Sequence, residues 1–239
     1  MNTMQKTVGQ LAVEFPGSIR LFESLGIDYC CEGNRSLEEA CEEAGVEVEE
    51  IASSLELTST PEVQNDQFST LPLDELIRYI VDKHHTYTKS EIQRLRLLMS
   101  RVCEVHGSRH PELIHLKGRL QELTAELEPH MMKEEGVLFP YVNRMQEAID
   151  NQHYMSTPPF RTVMNPLRML SLEHEGAGYL LKQMRRITSD YKVPADACAS
   201  FKALYEALEE FDKDLHQHIH LENNILFPRA MKMEIGLLS

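Results

Sequence analysis

From Leu73 onward, apolar residues recur every three or four positions, the period of helices buried along one side. Phe201, Leu204, Leu208, Phe211 and Leu215 form one stripe, and Leu120, Leu123 and Leu127 another. Leu76, Ile77, Ile80 and Val81 open a third; Leu167, Leu170 and Leu181 mark a fourth. Turn-rich breaks fall at 106–111 (HGSRHP), at 151–160 (NQHYMSTPPF) and around Tyr191–Pro194. Four helices so connected predict an antiparallel four-helix bundle over 73–239. Ahead of it, 1–57 reads as a small helical domain with two short patterns, Thr7–Leu25 and Ser36–Leu57, flanking GIDYCCEGNR. Leu37, Ala40, Cys41, Ala44, Val48, Ile51 and Leu55 carry the second pattern, with Ser36 and Glu39 as its capping box. Residues 58–72, TSTPEVQNDQFSTLP, read as a linker. No strand-like alternation competes, so the fold class is all-α.

Polar residues interrupt the stripes where the pattern calls for apolar ones. His218 and Glu222 stand between Leu215 and Ile225, and His130 and Glu134 between Leu127 and Val137. His84 follows Ile80 and Val81, and His174 lies between Leu170 and Leu181. The interruptions are duplicated: His130 to Pro140 and His218 to Pro228 both read H-x-x-x-E-x-x-x-L-F-P, with His84 and His174 upstream at nearly equal spacing. A single inward histidine is usually a hydrogen-bonded core residue. Six inward polar groups in a repeat call for another explanation, because each unpaired buried polar group costs roughly 1–3 kcal/mol and an isolated carboxylate far more.

Metal supplies the compensation. Histidine and glutamate four positions apart share a helix face about 6 Å apart along the axis, so each pair grips one ion. Four imidazoles and two carboxylates suit two metals, each with two histidines, the glutamates bridging. An oxo or hydroxo bridge would still leave an open position on each. The nitrogen–oxygen ligand set favours two iron ions over zinc or manganese, and a closed structural zinc site would prefer thiolates. His216 and His220 fall off the stripe and are expected on a solvated face; His85, His106, His110, His115 and His153 are expected at the surface or in loops. Glu126 and Glu173 are candidates for supporting the ligands or relaying protons, with solvent exposure the commoner fate. Pro129 is expected to kink its helix.

Composition narrows the class further. The 239 residues are 42% hydrophobic and 26% charged, an ordinary globular balance, with eleven histidines and no tryptophan. A net charge of −14 argues against nucleic acid and anionic membranes as partners. No run of about 20 apolar residues is present to span a bilayer, and the N-terminus lacks a signal-peptide core. Five sparse cysteines do not read as a secreted disulfide framework, so a reducing, cytoplasmic location is expected.

At the repeated motif, with HMMKEE and HIHLENN around it, the chain resembles the hemerythrin-like domain of the iron–sulfur cluster repair di-iron family (ScdA type). IDYCCEGNRSLEEAC resembles that family's small N-terminal domain with vicinal cysteines. The resemblance covers nearly the whole chain in the same order. It implies a bundle whose iron ligands fall on His84, His130, Glu134, His174, His218 and Glu222, and a role in restoring clusters damaged by nitric oxide or oxidants. Oxygen-carrying hemerythrins have more histidines, so simple oxygen carriage is not implied. Expected partners are damaged iron–sulfur proteins and a small diatomic ligand, NO or O2, with a homodimer compatible.

Cys30 and Cys31 are candidates for thiol exchange, iron transit or contact with a damaged cluster, against a structural alternative. Asp28 and Glu32 disfavour their thiolates. Three functions fit such a chain: iron supply to damaged clusters, reduction of nitric oxide or peroxide at the open positions, and O2 or NO sensing. The spacing of residues does not rank the first two; the resemblance favours repair.

Overall fold

The computed structural model describes residues 5–57, 67–153 and 155–238. Most of the expected linker, 58–66, lies outside the described residues. The N-terminal unit contains α1 (Val8–Glu14), α2 (Ser18–Leu25), α3 (Leu37–Ala44) and α4 (Val48–Leu57). Each expected helical pattern is therefore two short helices, broken at Phe15–Pro16–Gly17 and after Gly45. Ser36 and Glu39 form the capping box at the start of α3, and Thr7 and Gln10 form another before α1. Val8 N donates to Arg35 O at 2.9 Å and Leu37 N to Lys6 O at 3.1 Å, tying the two helix starts together.

Four long helices follow, three with a widened π turn. Helix α5 comprises Leu73–Tyr79, the π-helical Ile80–His85 and Thr86–His106. Helix α6 comprises Glu112–Lys133, the π-helical Glu134–Leu138 and Phe139–Asp150. Helix α7 is Met164–Thr188. Helix α8 comprises Ala199–His220, the π-helical Leu221–Leu226 and Phe227–Leu238. Helix α6 packs chiefly on α7, and α8 on α5. The start of α5 meets the end of α8, because His85 touches His218, while His106 near its other end touches Phe201. The pair is antiparallel.

Two of the three π turns, those ending at Leu138 and Leu226, have a cause in the repeat. Pro140 and Pro228 lack an N–H, and each ring would crowd the carbonyl four residues back in a regular α-helix. Widening the preceding turn relieves both problems. Pro129, by contrast, lies inside continuous α-helix, and the departure expected there comes at Glu134–Leu138. The long connection before α7 is anchored by Glu234, which accepts from Val163 N at 2.8 Å and from Tyr141 Oη at 2.8 Å.

Buried apolar residues form two clusters. One joins the N-terminal unit to Ile92, Leu123, Leu181 and Phe211; the other gathers Leu76, Leu138, Val142, Leu167 and Leu226. The duplicated polar residues lie between them.

Candidate metal centre

Two groups of ligand atoms converge inside the bundle. His85, Glu134, His218 and Glu222 form one; His130, Glu134, His174 and Glu222 form the other. Both glutamates are common to both groups, and all six side chains are buried. Glu134 presents Oε2 to His85 Nε2 at 3.4 Å and Oε1 to His130 Nε2 at 3.3 Å. Glu222 presents Oε1 to His218 Nε2 at 3.0 Å and Oε2 to His174 Nε2 at 3.2 Å. Within each group the two histidines also meet: His85 and His218 Nε2 are 3.1 Å apart, and His130 and His174 Nε2 2.9 Å apart.

Three of the four ring nitrogens facing away are held, His218 Nδ1 being buried without a partner. His85 Nδ1 donates to Glu135 at 2.7 Å, and His130 Nδ1 donates to Glu173 at 2.8 Å. Lys89 backs Glu135 and Lys133 backs Glu173, so the same His–Glu–Lys chain is built twice. His174 Nδ1 donates to Asn223 Oδ1 at 2.9 Å. These bonds orient each ring with Nε2 facing inward, as outer partners of metal-binding histidines do. Burial works against charge at His85, His130, His218 and both glutamates. Even so, the glutamates raise His85 to about 10 and His130 to about 9, and the histidines draw both carboxylates below their ordinary range.

Both oxygens of Glu134 and Oε2 of Glu222 are buried without a hydrogen bond, although imidazole nitrogens stand within 3.4 Å. Carboxylate oxygens this close to imidazole nitrogens, yet left without hydrogen bonds, are arranged around a shared point. An imidazole and carboxylate donor set of this kind fits hard-to-borderline cations.

His84 is not brought into either group. It is fully buried, with Nδ1 3.0 Å from Asp214 Oδ1, its ring stacked on His218 at 5.5 Å and its Nε2 unpartnered. The π turn at Ile80–His85 advances the inward face by one residue, so His85 occupies the position expected of His84. The expected solvated face of α8 is buried too: His216 and His220 are 7% and 4% exposed. His220 packs edge-on against Tyr29 and accepts from Asn224, so the N-terminal unit covers this face. His106 is likewise buried, near Cys198, whereas His115 and His153 are exposed. Glu173 supports His130, not its neighbour His174. Glu135 carries the equivalent role for His85 and escaped sequence reasoning; its place in the second of two adjacent glutamates after the motif was the available signal.

The N-terminal unit meets the centre through two asparagines of the second repeat. Asn223 Nδ2 donates to Cys30 O, and Asn224 Nδ2 to Tyr29 O, both at 3.0 Å. Close approach is needed here. A Cβ on Gly178 would lie 2.7 Å from Cys31 Cβ, and one on Gly9 would lie 2.5 Å from Asn224 Oδ1. Cys30 and Cys31 are buried, their sulfurs 3.5 Å apart. Burial, then the neighbouring thiol and Asp28, push Cys30 well up; Cys31 is also raised, burial and Asp28 outweighing its bond with Cys30.

A helical bundle with paired histidines around shared carboxylates defines a metal-binding protein of the hemerythrin class. Residues 76–230 match the hemerythrin HHE cation-binding domain, and residues 4–58 match ScdA_N, a domain of unknown function (DUF542). The chain is 34% identical, over 97% of its length and 99% of theirs, to a probable iron–sulfur cluster repair protein of Haemophilus influenzae and to iron–sulfur cluster repair protein YtfE of Edwardsiella ictaluri. It is 32% identical to YtfE of Musicola paradisiaca, covering 98% of this chain and all of that one. The chain belongs to this two-domain family of iron–sulfur cluster repair proteins. Among the described residues no helix is long and apolar enough to cross a membrane.

Proposed function

We propose that this chain is a cytoplasmic di-iron protein that repairs iron–sulfur clusters damaged by nitric oxide or oxidative stress, by supplying iron to them. His85, His130, Glu134, His174, His218 and Glu222 would hold the two ions, and damaged iron–sulfur proteins are the partners. The observation that carries the reading is the pair of buried carboxylates, each directing one oxygen to each histidine pair, with three of their four oxygens lacking the hydrogen bond that burial demands. The names of the full-length relatives support repair.

The ligand chemistry agrees with donation. Imidazole and carboxylate suit iron and, with no thiolate among them, form a less closed cage than a structural zinc site. Bound there, iron would be a redox-active and exchangeable ion. The residues' own part is to hold the Nε2 atoms inward through Glu135, Glu173 and Asn223, and to keep both carboxylates ionised.

The test has two stages. Protein purified without oxygen should contain two irons per chain, coupled in the Mössbauer spectrum. The loaded chain should then restore activity to a nitrosylated cluster enzyme in the presence of a chelator that blocks equal free iron. Zinc at the site, or repair no better than free iron, would end this reading.

A further inference from the structure

A third set of metal-binding side chains lies apart from the paired centre. Asp28 and Cys30, from the loop between α2 and α3, and His216, from α8, offer ligand atoms that all fall within 4.8 Å of one another. Cys31 Sγ stands 3.5 Å from Cys30 Sγ, beside this group and not part of it. One carboxylate, one imidazole and one thiol make a three-donor set, which leaves a fourth position of a tetrahedral ion open.

The donors are held from behind. His216 Nδ1 faces Asp212, 2.9 Å from both its carbonyl and its Oδ1, which leaves Nε2 as the remaining donor. Asp212 is itself fixed by two bonds from Arg185, at 2.6 and 2.7 Å, and one from Tyr191 Oη at 2.7 Å. Arg185 also approaches His216 at 3.4 Å, but its charge is matched by the buried Asp212 carboxylate. Asp28 Oδ1 accepts from the backbone N–H of Cys30 and Cys31 at 3.1 and 2.8 Å, which fixes the turn and leaves its other oxygen for a ligand.

Access exists from two sides. Asp28 and His216 line a cleft of about 420 Å³, and Cys30 and Cys31 line a separate one of about 360 Å³. As free thiols the cysteines are poor nucleophiles, since burial and Asp28 oppose ionisation. A cation reverses that balance, because coordination removes the thiol proton.

We propose that Asp28, Cys30 and His216 form a second, mononuclear site for a borderline divalent cation such as Fe2+ or Zn2+ at the junction of the two domains. Asn223 spans the space between this site and the paired centre, bonded to the Cys30 carbonyl on one side and to His174 on the other. Occupancy of the site is independent of whether the chain repairs clusters, so the probe is a metal alone.

The experiment titrates Co2+ into the reduced, iron-loaded, full-length protein without oxygen. The paired centre has no sulfur ligand, so a thiolate-to-cobalt charge-transfer band in the near ultraviolet reports this site. The band should saturate at one cobalt per chain, disappear in Cys30→Ser and persist in Cys198→Ser. In His216→Ala, cobalt should bind roughly tenfold more weakly or worse. Circular dichroism establishes that each variant is folded; if His216→Ala is not, His216→Gln replaces it. No thiolate band in folded wild type, or a band that survives Cys30→Ser, would overturn the proposal. So would a Cys30–Cys31 disulfide that persists under the reducing conditions of the titration.

Discussion

Asn223 hydrogen-bonds the carbonyl of Cys30, 193 residues away in sequence, at 3.0 Å. The same amide accepts from His174, so one side chain both docks the N-terminal unit and orients an imidazole of the metal centre. Asn223→Ala should loosen both at once. Iodoacetamide should alkylate Cys30 and Cys31 faster in the variant, and metal affinity should fall about 10–100-fold. Unchanged alkylation would mean that the amide does not hold the domains together.

His84 and His85 separate cleanly by metal content. His85→Ala removes an inward nitrogen from one histidine pair and should leave at most one tightly held ion per chain. His84→Ala should keep both and lower thermal stability, because it strands Asp214 and empties a buried space beside His218. Metal analysis of the two variants, compared with their melting temperatures, decides between the adjacent histidines.

The doubled His–Glu–Lys chain invites a matched pair of substitutions. Glu135→Gln and Glu173→Gln keep size and a hydrogen-bond acceptor but remove the charge that makes each imidazole a stronger donor. Each should weaken metal binding about 10–100-fold with the fold intact. Competition with a metal chelator measures this, and equal effects are expected because the two arrangements are alike.

His220 gives a pH dependence. Burial lowers it to about 4 from an ordinary value of 6.5, so the unfolded chain binds a proton there that the native chain refuses. The native state therefore loses stability as pH falls from about 6.5 towards 4, by up to roughly 3 kcal/mol from this residue. Urea unfolding of wild type and His220→Gln across that window should show the wild type falling more steeply. Parallel curves would remove His220 as the cause.

Gly178 is required by contact with Cys31 rather than by helix geometry. Gly178→Ala would place a methyl group 2.7 Å from Cys31 Cβ and 2.8 Å from its Sγ. The N-terminal unit must shift, so limited proteolysis should cut it from the bundle faster while the iron content of the bundle is retained.

The sequence made the two His-x-x-x-Glu pairs legible because regular α-helix runs through each histidine and each glutamate stands first or second in the π turn that follows, so the four-residue step still continues an apolar stripe, as Leu215, His218 and Glu222 do. The first histidine was less legible. Counting from Ile80 by a regular helical period lands on His84, and nothing local to α5 announces the π turn that hands the position to His85. His216 and His220 were misjudged for a different reason. One helix's periodicity identifies the face it turns to its own bundle, whereas the face they occupy is buried by Tyr29 and the cysteine loop from another domain. The glutamates beyond the motif, Glu135 and Glu173, act across helices on His85 and His130, and such pairing is invisible along a single chain.

The polar layer between the two apolar clusters bears on how the bundle opens. Neither cluster reaches through the imidazoles and carboxylates to the other, so the bundle holds two cooperative units joined along a seam. Ligation across α5, α6, α7 and α8 would lock that seam. Amide hydrogen exchange in metal-free protein should then resolve two levels of protection, the Leu76–Val142–Leu226 end and the Ile92–Leu181–Phe211 end exchanging on their own schedules, with metal merging them into one.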